Sequence, residues 1–143
     1  MDTQTITVER TFNAPVSKVW SAITNRDEME KWYFNLKEFK AEPGFTFDFL
    51  GGPPDGIQYK HVCQVTEVIK EKKLTYSWRY DGYEGISYVT FELSAEGNKT
   101  KLTLTHTGLE SFPPIKDFAK ENFAEGWNSI INNSLQKYLE PNQ

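Results

Sequence analysis

Residues 117–140 read DFAKENFAEGWNSIINNSLQKYLE. Apolar side chains recur along this segment at intervals of three and four, which predicts a helix of about six turns with one apolar stripe. The other side is polar, so we expect a surface helix that buries one face against something broad. The stripe comprises Phe123, Trp127, Ile130, Ile131, Ser134, Leu135 and Tyr138, and the polar side comprises Glu125, Asn128, Ser129, Asn132, Asn133, Gln136 and Glu140.

Gly126 lies next to Trp127 in the middle of this predicted helix. Glycine at such a position costs about 1 kcal/mol relative to alanine, so we expect that something requires the missing side chain. Close packing against a sheet is the more usual reason, and room for a ligand is the alternative. Asp117 is expected to cap the start of the helix.

The composition is that of a single acidic domain. A chain of 143 residues fits one domain, 1–143, with one hydrophobic core. The formal charge of -4 argues against a nucleic-acid partner, which requires concentrated positive charge. No segment reaches the length of a membrane span, and residues 1–4 lack the features of a secretion signal, so we expect a cytoplasmic protein without a membrane partner. The single Cys63 excludes an internal disulfide and a thiolate metal cluster.

Alternating apolar and polar residues predict that most of the remaining chain forms strands. Two short helices follow the first strand, one that begins at Pro15 and one capped by Asn25 or Asp27. Arg10 falls on the apolar side of the first strand without an explanation in the sequence. Val68 interrupts the alternation of a long strand, which indicates a bulge. The predicted strands cover residues 5–12, 36–40, 45–50, 57–69, 74–80, 86–94 and a last strand that carries Leu102, Leu104 and His106.

These elements follow one another as a strand, two short helices, an antiparallel meander and one long amphipathic helix. Each strand has one apolar and one polar face, so we expect the last helix to cover one side of the sheet. The pattern predicts an α+β helix-grip fold. It comprises a curved antiparallel sheet of six to seven strands, two short helices after the first strand and a long C-terminal helix packed across the sheet. Such a sheet tends to leave a hollow beneath the helix, and ligand sites are usually apolar hollows with a few polar groups.

Several short motifs occur together in the chain: Ala14-Pro15 with Val19-Trp20, then Trp32, Leu74-x-Tyr76-x-Trp78, Thr100-x-Leu102-x-Leu104-x-His106-x-Gly108, and Gly126-Trp127 with Leu135 and Leu139. Together they resemble the START-like (SRPBCC) superfamily, in particular the small stand-alone members of the branch named after the activator of heat-shock chaperone ATPase. The resemblance covers roughly residues 5–140. It implies the helix-grip fold, with a cavity that the superfamily uses for lipids, sterols, polyketides and plant phenolics. The chaperone activator carries an additional N-terminal domain, which we do not expect in a chain of 143 residues.

No catalytic residue, metal site or cofactor is predicted. His61 and His106 lie three strands apart in the meander, about 14 Å at roughly 4.8 Å per strand, which is too far to share an ion. Each is either a hydrogen-bonded structural imidazole or a polar group that orients a ligand. Cys63 is expected to be an inert part of the core. The glycine-rich residues 51–56 lack the lysine and the following helix of a phosphate cradle, so we interpret them as a hairpin tip.

The aromatic residues carry the remaining functional signal. Most are expected in the core, but Tyr and Trp bring polar groups that need partners, and several of them in one interior suit an amphipathic ring ligand. We therefore expect a non-catalytic protein that binds a small hydrophobic molecule, either aromatic or lipid-like, with loops 51–56 and 108–114 as gates. The candidate ligand-binding residues are Phe45, Phe47, Phe49, Tyr59, His61, Tyr76, Trp78, Phe91, His106, Gly126, Trp127 and Ile130.

Two other functions stay open on the sequence. A co-chaperone-like interaction module with a chaperone partner requires an exposed apolar patch, for which Tyr83, Ile86 and Tyr88 are the indications. A cyclase-like enzyme on the same fold requires an acid or base with a perturbed pKa inside the cavity, and the sequence indicates none.

Overall fold

A curved antiparallel sheet forms the frame of the protein. The computed structural model describes residues 5–33, 36–52 and 56–140. Its strands are β1 Ile6–Phe12, β2 Thr46–Gly51, β3 Tyr59–Ile69, β4 Lys73–Tyr80, β5 Ser87–Glu96 and β6 Lys99–Thr107. Their order across the sheet is β1-β6-β5-β4-β3-β2, so the meander runs from β2 to β6 and β6 then pairs with β1. This arrangement confirms the predicted helix-grip fold with a sheet of six strands.

Two short helices, α1 Val16–Thr24 and α2 Arg26–Trp32, separate β1 from β2. Of the two predicted caps of the second helix, Asn25 is the one that the structure has: its side chain accepts hydrogen bonds from the backbone N–H groups of Asp27 and Glu28 at 2.9 and 3.2 Å. The predicted bulge is also present, as a register shift between Val65 and Glu67 where β3 pairs with β4.

The predicted strand at residues 36–40 is wrong, and this segment carries no strand. Leu36 and Phe39 are both buried, with exposures of 0% and 7%. A spacing of three cannot place two side chains on the same face of a strand, so an irregular backbone turns both of them towards the core. Residues 53–55, at the centre of the predicted hairpin tip, lie outside the described part of the chain.

The last helical element, called the C-terminal helix below, consists of three consecutive segments. They are α3 Lys120–Ser129, a π-helical segment Ile130–Leu135 and α4 Gln136–Leu139. The helix begins at Lys120 rather than at residue 117, and its N-cap is Ala119, which makes no side-chain capping bond. Asp117 lies instead in a 3-10 turn, Lys116–Phe118, where its carboxylate accepts a hydrogen bond from Tyr59. The prediction of Asp117 as the cap is therefore wrong, because a partner on the sheet competes for its carboxylate.

The predicted stripe of the C-terminal helix faces the sheet. Trp127, Ile131 and Leu135 are buried together with Leu139, and the other stripe residues are half-buried. The concave face of the sheet supplies the other half of this core. Its buried apolar residues include Ile6, Val8 and Phe12 on β1, Phe47 and Phe49 on β2, Cys63 and Val65 on β3, Leu74 and Tyr76 on β4, Val89, Phe91 and Leu93 on β5, and Leu102 and Leu104 on β6.

Two residues predicted on the polar side of the helix belong to its interface. Asn132 accepts a hydrogen bond from Nη1 of Arg10 at 3.1 Å, which accounts for an arginine on the inner face of β1. Glu140 is buried and accepts the backbone N–H of Asn13 at 2.9 Å. Within the described ranges, no helix is long and apolar enough to cross a membrane.

Candidate functional site

A cleft of about 710 Å³ lies between the C-terminal helix and one end of the sheet. We call its buried lining residues the floor and its exposed lining residues the rim. The floor is aromatic and consists of Tyr59, His61, Trp78, Tyr80, Phe118 and Trp127. The rim consists of Gly52, Lys116, Asn122, Glu125, Gly126 and Ser129, and the half-buried Gly51, Asp117, Phe123 and Ile130 lie between the two sets.

Neighbouring strands position most of the floor. Side chains two residues apart share one face of a strand, so β3 presents Tyr59 and His61 while β4 presents Trp78 and Tyr80. The register places His61 opposite Tyr80, and their ring centroids lie 4.7 Å apart. The His61 ring also meets Trp78 edge-on at 5.0 Å. Four aromatic side chains from two strands therefore form one continuous surface.

A chain of hydrogen bonds holds Trp127 against the sheet. The indole N–H of Trp127 donates to Nδ1 of His106 at 2.9 Å, so this nitrogen carries no proton. Nε2 of the neutral ring then donates to the Ser87 hydroxyl at 2.8 Å, and Ser87 donates to the carbonyl oxygen of Trp78 at 2.8 Å. Burial lowers the pKa of His106 from 6.5 to about 3. His106 is therefore a neutral structural imidazole behind the floor, and it does not line the cleft.

His61 lines the cleft and is also neutral at pH 7. Burial lowers its pKa from 6.5 to about 4, against the opposing effect of backbone hydrogen bonds. Its Nδ1 lies 3.0 Å from the Tyr59 carbonyl oxygen, which can only accept, so Nδ1 carries the proton of this bond. One face of the ring stacks on Phe49 at 4.5 Å.

One polar contact joins the sheet to the chain before the C-terminal helix. The Tyr59 hydroxyl donates to Oδ2 of Asp117 at 2.5 Å. This hydrogen bond, together with burial, raises the pKa of Tyr59 from 10.0 to about 12. Phe118, the next residue, stacks on the Tyr80 ring with centroids 4.5 Å apart. The 3-10 turn Lys116–Phe118 is thus attached to the sheet by this hydrogen bond and by the contacts of the Phe118 ring with Tyr80 and, at 5.1 Å, with Tyr59.

Gly126 is exposed and lies on the wall of the cleft. A Cβ built at this position would meet no heavy atom within 4 Å outside the helix backbone and its chain neighbours. Of the two interpretations of this glycine, close packing does not account for it. The position of an added Cβ is open space, and Gly126 itself lines the cleft.

The structure brings six of the twelve predicted site residues to the cleft, and the other six are buried in the protein interior or, in the case of Phe45, pack against the core. The residues that line it are Tyr59, His61, Trp78, Gly126, Trp127 and Ile130. The residues that do not line it are Phe45, Phe47, Phe49, Tyr76, Phe91 and His106. Among these, the Tyr76 hydroxyl is hydrogen-bonded to the Tyr33 hydroxyl at 2.7 Å.

Sequence reasoning missed Tyr80, Phe118 and Asp117 as members of the site. Tyr80 was detectable, because it continues the alternating aromatic face of its strand beyond Trp78. Phe118 and Asp117 lie in a segment whose helical pattern concealed the 3-10 turn. Burial raises the pKa of the Cys63 thiol, in line with the predicted inert role. Within the described part of the chain, no group of three His, Cys, Asp or Glu residues is placed to hold a metal ion.

Comparison with solved structures supports the fold. The chain is 30% identical to protein BH1534 from Bacillus halodurans, over 95% of this chain and 96% of that one, with a TM-score of 0.74. It is 25% identical to CalU16 from Micromonospora echinospora, over 96% of this chain and 76% of that one, with a TM-score of 0.74. The Mll3558 protein from Rhizobium loti is 22% identical over 94% of this chain and 96% of its own, with a TM-score of 0.80, a likeness of fold alone.

Comparison of the sequence with models of known families identifies the family to which the chain belongs. No curated protein matches the chain. The model of one family, described as Activator of Hsp90 ATPase homolog 1-like protein, matches residues 13–140. That match spans the two short helices, five of the six strands and the C-terminal helix. The chain therefore belongs to the Activator of Hsp90 ATPase homolog 1-like family, within the START-like (SRPBCC) superfamily.

Proposed function

We propose that this protein binds a small hydrophobic molecule, aromatic or lipid-like, in the cleft between the sheet and the C-terminal helix. One observation carries the proposal: an aromatic floor lies next to a helix on which Gly126 leaves open space at the cleft. The volume of about 710 Å³ lies in the range typical of small-molecule sites. A ring or chain that covers Trp78 and Trp127 would remove apolar surface of both partners from water, which drives association.

The chemistry of the floor favours binding over catalysis. His61 is the titratable base of the floor, and its pKa of about 4 makes it a weak proton acceptor at neutral pH. A general base works best when its pKa lies near the working pH. The high pKa of Tyr59 likewise keeps its hydroxyl protonated, and this hydroxyl donates its proton to the hydrogen bond with Asp117. We therefore propose that these groups orient a ligand and do not transform it.

The test is a titration of 15N-labelled protein with a flavonoid, a long-chain fatty acid and a sterol, followed by two-dimensional NMR. Saturable shifts are expected at the indole N–H groups of Trp78 and Trp127, since both rings line the cleft. Gly126→Leu should weaken binding by more than about tenfold, which corresponds to the loss of only about 1.4 kcal/mol of contact.

Two variants serve as controls for this experiment. Gly126→Ala adds a single methyl group and should leave the affinity nearly unchanged. Glu121→Leu adds the same side chain to an exposed position of the same helix that does not line the cleft, and it should bind like the wild type. Binding that survives Gly126→Leu would refute the placement of the ligand. The absence of saturable shifts with all three classes of compound would refute the function.

A second candidate function is an interaction with a chaperone, as the name of the family describes. The observation that favours it is the exposure of Tyr83, Ile86 and Tyr88, at 38%, 41% and 41%. Its test is the ATPase rate of a purified Hsp90-type chaperone with and without this protein. A rate increase that Ile86→Asp and Tyr88→Asp abolish would support this function, whereas an unchanged rate would contradict it.

A further inference from the structure

The floor of the cleft contains a hydrogen-bond donor for which the described residues offer no acceptor. The Tyr80 hydroxyl accepts the indole N–H of Trp78 at 2.9 Å. An indole N–H can only donate, so this bond uses a lone pair of the Tyr80 oxygen and leaves its proton unused. Tyr80 is 4% exposed, and no acceptor for that proton lies among the described residues.

The other polar hydrogens of the aromatic floor have partners within the protein. The hydroxyl of Tyr59 donates to Asp117, and the indole of Trp127 donates to His106. The indole of Trp78 donates to Tyr80 itself. Among the polar hydrogens of the aromatic floor, the hydroxyl proton of Tyr80 is the one without an acceptor among the described residues. Buried donors in folded proteins nearly always have an acceptor, so this proton requires an explanation.

The surroundings of Tyr80 determine what kind of acceptor suits it. Burial raises the pKa of Tyr80 well above its ordinary value, so the phenol stays neutral and acts as a donor. Rings of His61, Phe112 and Phe118 lie 4.7, 5.3 and 4.5 Å from its ring. A carboxylate buried among these neutral rings would lose its hydration at a high cost in free energy. A neutral carbonyl oxygen loses far less hydration.

We propose that Tyr80 sets the specificity of the cleft by donating a hydrogen bond to a neutral carbonyl oxygen of a flat aromatic ligand. The ligand is then an aromatic ketone or a related carbonyl compound, rather than a fatty acid. This inference rests on the proposed function, because it identifies the class of molecule that the same cleft binds. The carbonyl satisfies the unused Tyr80 proton, while the ring system covers Trp78 and Trp127.

The experiment compares two neutral probes with the same three-ring skeleton, 9-fluorenone and fluorene, which differ in one carbonyl group. Wild-type protein should bind fluorenone about five- to tenfold more tightly than fluorene, the range expected for one buried hydrogen bond. The infrared carbonyl stretch of bound fluorenone should move to lower wavenumber than in a hydrocarbon solvent. This readout reports the hydrogen bond itself and needs no variant.

Substitution of Tyr80 then identifies the donor. Tyr80→Phe alone would free the Trp78 indole N–H for the ketone, so the substitution is made in a Trp78→Phe background. Trp78→Phe should lower the affinity for both probes and keep the preference for fluorenone. The added Tyr80→Phe should remove that preference and reverse the infrared shift. Tyr88→Phe, at an exposed position away from the cleft, is the matched control and should behave like the wild type.

The outcomes separate this inference from the function on which it rests. Equal affinity for the two probes in the wild type, or an unshifted carbonyl stretch, overturns the role of Tyr80 and leaves the proposed function intact. A preference that persists without both the Tyr80 hydroxyl and the Trp78 indole also overturns it. Binding of the fatty acid or the sterol without binding of either probe overturns the inference alone. Failure of the wild type to bind both probes and every compound of the wider panel overturns both proposals together.

Discussion

Gly126 destabilises the C-terminal helix at a position where no neighbouring atom excludes a side chain. A helical glycine destabilises a helix by about 1 kcal/mol relative to alanine, and close packing against a neighbour is the usual reason for it. Here an added Cβ would meet nothing within 4 Å, so close packing does not explain the glycine. A glycine that lowers helix stability and lines the cleft is what the proposed ligand site requires at this position.

The first prediction concerns this residue. Gly126→Ala should raise the free energy of unfolding by about 0.5–1 kcal/mol, because alanine favours the helix and restricts the unfolded chain. Urea unfolding followed by circular dichroism measures the change. The control is Gly97→Ala, also in open space but at a φ of 67°, where a side chain is strained and the stability should fall. A loss of stability at Gly126→Ala would show that packing restricts this position after all.

The C-terminal helix is held at each end by a tyrosine hydroxyl and a carboxylate. Ahead of its first turn, Tyr59 donates to Asp117 at 2.5 Å. Near its last turn, Tyr138 donates to Glu28 of α2 at 2.6 Å. The first contact restrains the wall of the cleft, whereas the second connects the helix to α2. The two ends can therefore be loosened independently by the same chemical change.

The second prediction tests that independence. Tyr59→Phe should increase amide hydrogen exchange about ten- to a hundredfold in the residues around Asp117, since a bond to a charged acceptor is worth about 1.5–3 kcal/mol. Tyr138→Phe is the matched control and should increase exchange near the last turn of the helix only. Hydrogen exchange measured by mass spectrometry or NMR resolves the two regions. Unchanged exchange around Asp117 in Tyr59→Phe would mean that the Phe118 stack alone holds the turn.

Across the whole molecule, two buried neutral imidazoles make the fold sensitive to acid. Burial lowers the folded-state pKa of His61 to about 4 and that of His106 to about 3, from 6.5. Between these values and 6.5 the unfolded chain binds protons that the folded chain does not. Their contribution to stability is therefore complete above pH 6.5 and is lost as the pH falls towards the folded values.

The third prediction follows from this difference in proton binding. The free energy of unfolding should fall by about 2–3 kcal/mol between pH 7.5 and pH 5.5, at about 1.4 kcal/mol per pH unit for each histidine below the unfolded pKa. Urea unfolding at each pH measures the fall. Replacing both histidines by glutamine should lower stability at pH 7.5 and flatten its pH dependence. A pH dependence that stays equally steep in this variant would assign the acid sensitivity to other groups.

Much of this architecture was accessible from residue spacing alone. Period-two patterns located the six strands, and the three- and four-residue spacing of Trp127, Ile131 and Leu135 marked the buried stripe of the C-terminal helix. The cap of α2, Asn25, was one of two candidates. Local periodicity also misled, as at Leu36 and Phe39, where burial without alternation was read as a strand. The start of the helix was misplaced because Asp117 satisfies a distant tyrosine, which no local pattern records.

The cleft, in contrast, is a product of tertiary packing. Alternation places Tyr76, Trp78 and Tyr80 on the same face of β4, but it cannot tell which end of that face the helix covers. Tyr76 is enclosed in the core, whereas Trp78 and Tyr80 line the cleft. Spacing along one strand or helix is a local property of the backbone, so the sequence alone was enough to predict most of the elements and their apolar faces. The space between two faces depends on the relative placement of distant segments, so only the folded chain decided which of these aromatics line the cleft.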